Sequence, residues 1–182
     1  MEILIQRFNE KYARTQVDSI RDFVKKIDWN NRLIGIKGAK GVGKTTLILQ
    51  YLKKYFNSNE AVLYTSLDHL YFLENKLYDL AEKFYQKGGK LLALDEVHRY
   101  HNWSTEIKNI YDDFPDLKII FTGSSLLQIH KAKADLSRRA VMYNMPGLSF
   151  REYLQFETGF TFNAVTFTEL MGNHRQITLD II

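Results

Sequence analysis

The sequence predicts a three-layer α/β domain whose mostly parallel sheet has about five strands, followed by a short helical C-terminal segment. Three observations carry that expectation. Short apolar, β-branched runs alternate with stretches of roughly 10–15 residues at helical periodicity. A glycine-rich loop joins the first such run to the helix after it, and two capping signals stand near the end of the chain.

Taken in order, Ile20, Phe23, Val24 and Ile27 recur at helical spacing ahead of a polar turn, Asp28 to Asn31. Leu33 to Ile36 then reads as a strand, and glycines 38, 41 and 43 follow it. From Lys44 to Phe56, the residues Leu47, Ile48, Tyr51, Leu52 and Tyr55 share one helical face. Ala61 to Leu67 is a second strand, and Tyr71 to Gln86 a single helix stopped by Gly88 and Gly89. Leu91 to Leu94 is apolar throughout, as a strand covered on both faces must be. Trp103, Ile107, Ile110, Tyr111 and Phe114 mark a helix from Asn102 to Phe114, ended by Pro115. Lys118 to Phe121 is another buried strand, and Val141 to Met145 a fifth.

Length and composition bound the function. The 182 residues suffice for one domain with a real core and a small appendage. Zero cysteines exclude disulfide frameworks and Cys-based zinc or iron–sulfur sites, and 45% hydrophobic residues exclude an intrinsically disordered chain. No apolar run approaches the roughly 18 residues that cross a bilayer. Met1 to Arg14 turns charged after three apolar residues, so it holds no signal-peptide core. A cytoplasmic chain with no membrane partner is expected. Its net charge of +4 is a mild excess spread along the chain. Nucleic acid is only weakly supported by that excess, since a bound nucleotide accounts for a few lysines equally well.

Gly38-Ala39-Lys40-Gly41-Val42-Gly43-Lys44-Thr45 matches G-x-x-x-x-G-K-[ST] in full, after a strand and opening a helix. Such a loop turns successive N–H groups inward around phosphate oxygens, and the helix N-terminus adds its positive end. Gly38 to Thr46 is therefore the expected nucleotide-binding segment, with Lys44 reaching the outer phosphates and the Thr45 hydroxyl offered to Mg²⁺. Asp95 and Glu96 end the apolar strand before them and are expected to face this loop. Asp95 can bind Mg²⁺ directly or through water, while Glu96 polarises the attacking water. Phe121 to Ser125 ends the next strand with hydroxyls. Ser124, ahead of Thr122, is the candidate to hydrogen-bond that water or the terminal phosphate, although Gly-Ser-Ser is also an ordinary serine-capped turn. The densest basic stretch, Lys131 to Ala140, is either a solvated face or the source of an arginine finger. Zinc is not expected at His98 and His101, and Asp68 and His69, at a strand end, border the site.

Together GAKGVGKTTL, LLALDEVH with NW close behind, IIFTGSS, LSRRA and LSFREYL resemble the prokaryotic AAA-like P-loop ATPase family, from about Arg21 through Leu154. Its members usually carry a C-terminal restriction-endonuclease-like domain. The resemblance implies a P-loop NTPase fold with ATP and Mg²⁺ as cofactors. It places phosphate and Mg²⁺ on Lys44 and Thr45, metal support on Asp95 and water activation on Glu96. Ser124 falls at the polar sensor position, and Arg139 matches the family arginine, with Arg138 where the family has glycine. Residues 1–147 are then the ATP-binding domain. Ser149-x-x-Glu152 and Thr166-x-x-Glu169 open two helices, and the last three residues carry no stop signal. Residues 148–182 are accordingly expected to begin a truncated C-terminal region, the alternative being a naturally short protein. The expected activity is Mg²⁺-dependent ATP hydrolysis. The alternatives are a nucleotide-gated module that binds a protein partner or itself, and a small-molecule kinase.

Overall fold

Five short strands pair in parallel throughout: β1 (Leu33–Lys37), β2 (Val62–Ser66), β3 (Leu91–Asp95), β4 (Lys118–Gly123) and β5 (Val141–Asn144), in the order β2-β3-β4-β1-β5. The computed structural model describes residues 1–56, 61–124, 136, 138–161 and 165–179. β3 is buried along its whole length and β5, at one edge, is partly exposed, which matches the continuous apolar run of the first and the mixed run of the second. Because every strand points the same way, the sheet has one carboxyl edge, where Lys37, Ser66, Asp95, Gly123 and Asn144 emerge, and one amino edge.

Around the sheet lie α1 (Glu2–Arg14), α2 (Lys44–Tyr55), α3 (Leu77–Gln86) and α4 (Trp103–Asp113). α1 packs on β2 and touches α2, while α3 packs on α4. Helical periodicity in the sequence reading begins only at Ile20, so α1 lies ahead of it; the helix is held by Leu4 and Phe8, one turn apart and both buried. Residues 20–27 form no more than a five-residue 3₁₀ turn, Asp22–Lys26. The single helix expected from Tyr71 to Gln86 is also divided, into a 3₁₀ turn, Leu70–Leu73, and α3. The Asn75 amide and backbone N–H both close on Tyr71 O. The first N–H groups of α3 are satisfied from elsewhere, Leu77 by the Tyr100 hydroxyl and Tyr78 by Glu106 Oε2 at 2.8 Å.

The two tryptophans sit at opposite edges. Trp29, in the turn before β1, stacks on Tyr51 with ring centroids 3.6 Å apart, and Trp103, at the start of α4, packs on Phe121 of β4. Gly35 is closely surrounded on β1: a Cβ there would stand 2.3 Å from Met142 Sδ and 2.6 Å from Phe121 Cζ, so those side chains would have to shift.

The chain divides into two compact units, Met1–Gly147 and Leu148–Ile182. In the second, α5 (Phe150–Thr158) opens with a complete capping box in which Ser149 and Glu152 each receive the other's backbone N–H. It ends at Gly159 in the left-handed conformation. α6 (Phe167–Leu179) opens on Thr166 and Glu169 in the same way, and those hydrogen bonds hold the Glu169 carboxyl below its ordinary pKa. The run-off expected at Asp180 to Ile182 lies outside the described residues.

Candidate functional site: a phosphate loop facing a buried carboxylate

β1 delivers the chain into the Gly38–Gly43 loop, and α2 begins at Lys44. Gly41 and Gly43 have φ of 85° and 94°, values that L side chains rarely adopt. Gly38 is required for a different reason: a Cβ there would lie 2.6 Å from Met145 O, because the chain leaving β5 crosses the loop and Met145 donates its N–H to Lys37 O at 2.7 Å. Lys44 is only 5% exposed, and its Nζ donates to Gly38 O at 3.0 Å and Ala39 O at 2.9 Å. An ammonium has three protons, so a phosphate oxygen can take the third.

Arg21, 7% exposed, fixes the loop from behind. Its Nη1 donates to Val42 O at 2.9 Å and Pro146 O at 3.0 Å, and its Nη2 to Gly147 O at 3.0 Å. One guanidinium thus joins the phosphate loop to the strand exit beside it.

Opposite the loop, β3 ends in Asp95, which is 2% exposed. A carboxylate that buried must be hydrogen-bonded. Thr45 Oγ1 donates to Oδ2 at 2.5 Å, Tyr64 Oη to Oδ2 at 2.8 Å, Thr122 Oγ1 to Oδ1 at close range, and the Glu96 N–H to Oδ1 at 3.1 Å. Burial, and then the Asp95 charge, push the Tyr64 hydroxyl well above its ordinary pKa, so it stays a donor. Among the described residues Glu96 is the one non-glycine with positive φ, at 52°. Left-handed backbone costs an L residue about 1–2 kcal/mol. Here the conformation is held by the Glu96 N–H, which also reaches Thr122 Oγ1 at 3.2 Å. The Glu96 side chain turns to His98, with Oε2 3.4 Å from Nε2, and the same nitrogen is 3.1 Å from Ser124 Oγ.

The structure therefore brings Gly38 to Thr45, Asp95, Glu96 and Ser124 to one edge, because β3, β4 and β1 are neighbours. Thr46 lines a cleft of about 460 Å³ together with Arg14, Gln16, Ser19 and Gln50. Asp68 and His69 line a smaller pocket of about 260 Å³ with Arg7, Lys11 and Tyr64. Arg139 stands apart from these residues. Its Nε and Nη2 grip Asp112 at 2.8 and 2.9 Å, next to the end of α4 and ahead of β5. That is the amino edge, so Arg139 does not join its own chain's site. Arg138 beside it is exposed, and Lys131–Asp135 and Ser137 lie outside the described residues. Tyr64, Thr122, His98 and Arg21 are the contributors that motif reading leaves out or ranks low. The signal for two of them is a polar residue interrupting an apolar strand, Tyr64 in VLYTS and Thr122 in KIIFTG.

Among the described residues no three His, Cys, Asp or Glu cluster as a metal cage. The donors that do meet, the Thr45 hydroxyl and the Asp95 carboxylate, are hard oxygens, which fit Mg²⁺, an ion that takes few protein ligands. No helix among the described residues is long and apolar enough to cross a membrane.

A parallel sheet in this order, with a complete phosphate loop at the carboxyl edge of a central strand, defines a P-loop nucleotide-binding domain. The model of the AAA domain family matches residues 30–154, and the chain belongs to that family of P-loop ATPases. No curated protein matches the chain. Solved structures that are similar include C. elegans PCH-2, at 17% identity and a TM-score of 0.49, over 96% of this chain and 46% of that one. A DNA replication initiation factor is similar at 17% identity and a TM-score of 0.47, over 86% of this chain and 57% of that one. The chain thus spans about half the length of each.

Proposed function

We propose that residues 1–147 form an ATP-binding domain that hydrolyses the terminal phosphate with Mg²⁺, and that 148–182 form a helical region following it. The observation that carries this reading is the 2.5 Å bond from Thr45 to Asp95, which joins the first turn of the phosphate-loop helix to the acid ending β3 and sets Glu96 next in line. In this reading the N–H groups of Gly38 to Thr46 hold the phosphates, and Lys44 neutralises the outer ones. Thr45 and Asp95 hold the metal, which when bound lends positive charge to the phosphate oxygens. Glu96 accepts the proton of the attacking water, and Ser124 orients that water or the phosphate. Arg139 has no part in its own chain's reaction.

Phosphate release from the full chain tests this. Glu96→Gln is expected to lower turnover by about 10²–10⁴-fold, the range for a general base, with ATP still bound. Lys44→Ala is expected to lose binding as well. Turnover indifferent to Glu96 would overturn hydrolysis at this site.

Arg21 favours a second reading, nucleotide-gated interaction, because it ties Val42 in the loop to Pro146 and Gly147 at the exit of β5. That reading predicts nucleotide-dependent association with a partner or a second copy that persists in Glu96→Gln.

A further inference from the structure

Arg21 is a buried cation that takes no part in the proposed chemistry, yet it bonds to the loop that does. Its backbone is fixed first: Arg21 caps the 3₁₀ turn Asp22–Lys26, accepts the Val24 N–H at 3.0 Å, and is followed by Phe23 and Ile27, both buried. The guanidinium is planar, with its donors set in a rigid fork. Two of its carbonyl partners, Pro146 O and Gly147 O at 3.0 Å, lie just beyond Met145, whose N–H bonds to Lys37 O at the end of β1. Val42 O, which shares Nη1 with Pro146 O, is therefore held at 2.9 Å against the carboxyl edge of the sheet.

The residue after Val42 is glycine, and that makes the peptide between them reversible. Rotating a peptide plane by half a turn changes ψ of the residue before it and φ of the residue after it, as the two common β-turns show, and glycine accepts φ of either sign. At Gly43 φ is 94°, so one of the two orientations is selected. In a planar trans peptide the C=O and the following N–H point opposite ways. With Val42 O turned onto Arg21, the Gly43 N–H is turned away from it, at the residue that caps α2.

We propose that Arg21 is a positioning residue for phosphate binding: by holding Val42 O it selects the orientation of the Val42–Gly43 peptide that presents the Gly43 N–H to a bound phosphate. The inference rests on the reading of this loop as a phosphate cradle and is independent of hydrolysis. Without that hold the peptide divides between two orientations, and affinity falls by the fraction in the competent one. Arg32 provides the comparison, since it also spans two carbonyls, Tyr111 O and Pro115 O, but at the amino edge.

Full-chain variants and one amide resonance test this. In isothermal titration with a non-hydrolysable ATP analogue and Mg²⁺, Arg21→Lys, whose single ammonium cannot span the fork, is expected to bind about tenfold or more weakly, the loss of one hydrogen bond to a charged group. Inorganic pyrophosphate, which has no base or sugar, should lose as much, and Arg32→Lys should bind both ligands as the parent chain does. An affinity in Arg21→Lys within about twofold of the parent, a loss confined to the nucleotide, or an equal loss in Arg32→Lys overturns the inference. Should Arg21→Lys not fold, Arg21→Gln takes its place, judged by the same limits. The second measurement needs no variant: in ¹H–¹⁵N spectra the Gly43 amide can be labelled selectively, because Val42-Gly43 is the one Val-Gly pair in the sequence. Its proton is expected to move downfield with pyrophosphate and with the analogue. A Gly43 amide that ignores a bound analogue overturns this inference alone. Analogue binding without phosphate release fails the hydrolytic reading and leaves the inference standing, and a parent chain that binds neither ligand fails both.

Discussion

At the carboxyl edge of the sheet, Lys44 and Asp95 are buried within a few ångströms of the loop and of four donors, whereas at the amino edge cations serve carbonyls and one exposed acid. Arg32 donates to Tyr111 O and Pro115 O and lies 3.4 Å over the Tyr111 ring; Lys118 donates to Trp29 O; Arg139 grips Asp112. Each amino-edge cation closes a turn between elements, although the Nε of Arg32 is buried without a hydrogen-bond partner. The carboxyl edge concentrates what a fold avoids elsewhere: a carboxylate out of water, left-handed Glu96 and two left-handed glycines in six residues. Strain and buried charge of this kind persist only where surrounding bonds over-determine them, and here three strands and a helix do so.

The contrast can be broken, the largest effects first. Asp95→Asn should stop turnover by about 10²-fold or more, since outer partners of a metal site alone are worth 10–100-fold. It should also destabilise by about 1–3 kcal/mol, because an amide brings its own donors to face those of Thr45, Tyr64 and Thr122. Asp112→Asn at the other edge should leave turnover alone; phosphate release and urea melts of the two variants compare the edges directly. Gly38→Ala comes next. Its methyl meets backbone, Met145 O, and overpacking of that kind costs about 1–3 kcal/mol, with nucleotide affinity falling because the loop must shift. Isothermal titration and a melt separate the two losses.

Tyr64→Phe removes one of the donors to Asp95 and should cost about 1 kcal/mol in urea melts while binding persists. Smallest is Arg139→Ala, worth at most about 1 kcal/mol for an exposed pair. Arg139 holds the Asp112 carboxyl below its ordinary 3.8, so the pair's contribution is complete above that value and disappears as pH falls through the lower folded one. Melts of Arg139→Ala and the parent chain should differ at pH 7 and converge in acid.

The phosphate loop was legible because its residues are consecutive and their chemistry is local. Asp95 and Glu96 were legible because an apolar strand with a polar end announces where it emerges. Tyr64 and His98 were not, since each depends on adjacency: Tyr64 reaches Asp95 because β2 pairs with β3, and His98 reaches Ser124 because β4 follows on the other side. Arg139 is the opposite case, its place in the fold not being carried by the motif. A motif match assigns a residue to a reaction without saying at which edge of the sheet it emerges, and the turn before β5 is the wrong edge for a site in the same chain. The break at Asn75 has the same origin, because the donors that start α3 afresh at Leu77 bond to Tyr100 and Glu106, more than twenty residues on. The second unit was the reverse case, since both its helices are announced by capping boxes complete within four residues.

Trp29 and Trp103 give each edge its own chromophore. Trp103 rests on Phe121, directly before the Thr122 that bonds Asp95, so its emission is a optical gauge of the site; Trp29, stacked on Tyr51 beside Lys118, is a reference lamp at the far side. Replacing either with phenylalanine isolates the other, and the two edges of the sheet can then be watched separately in solution without attaching a dye.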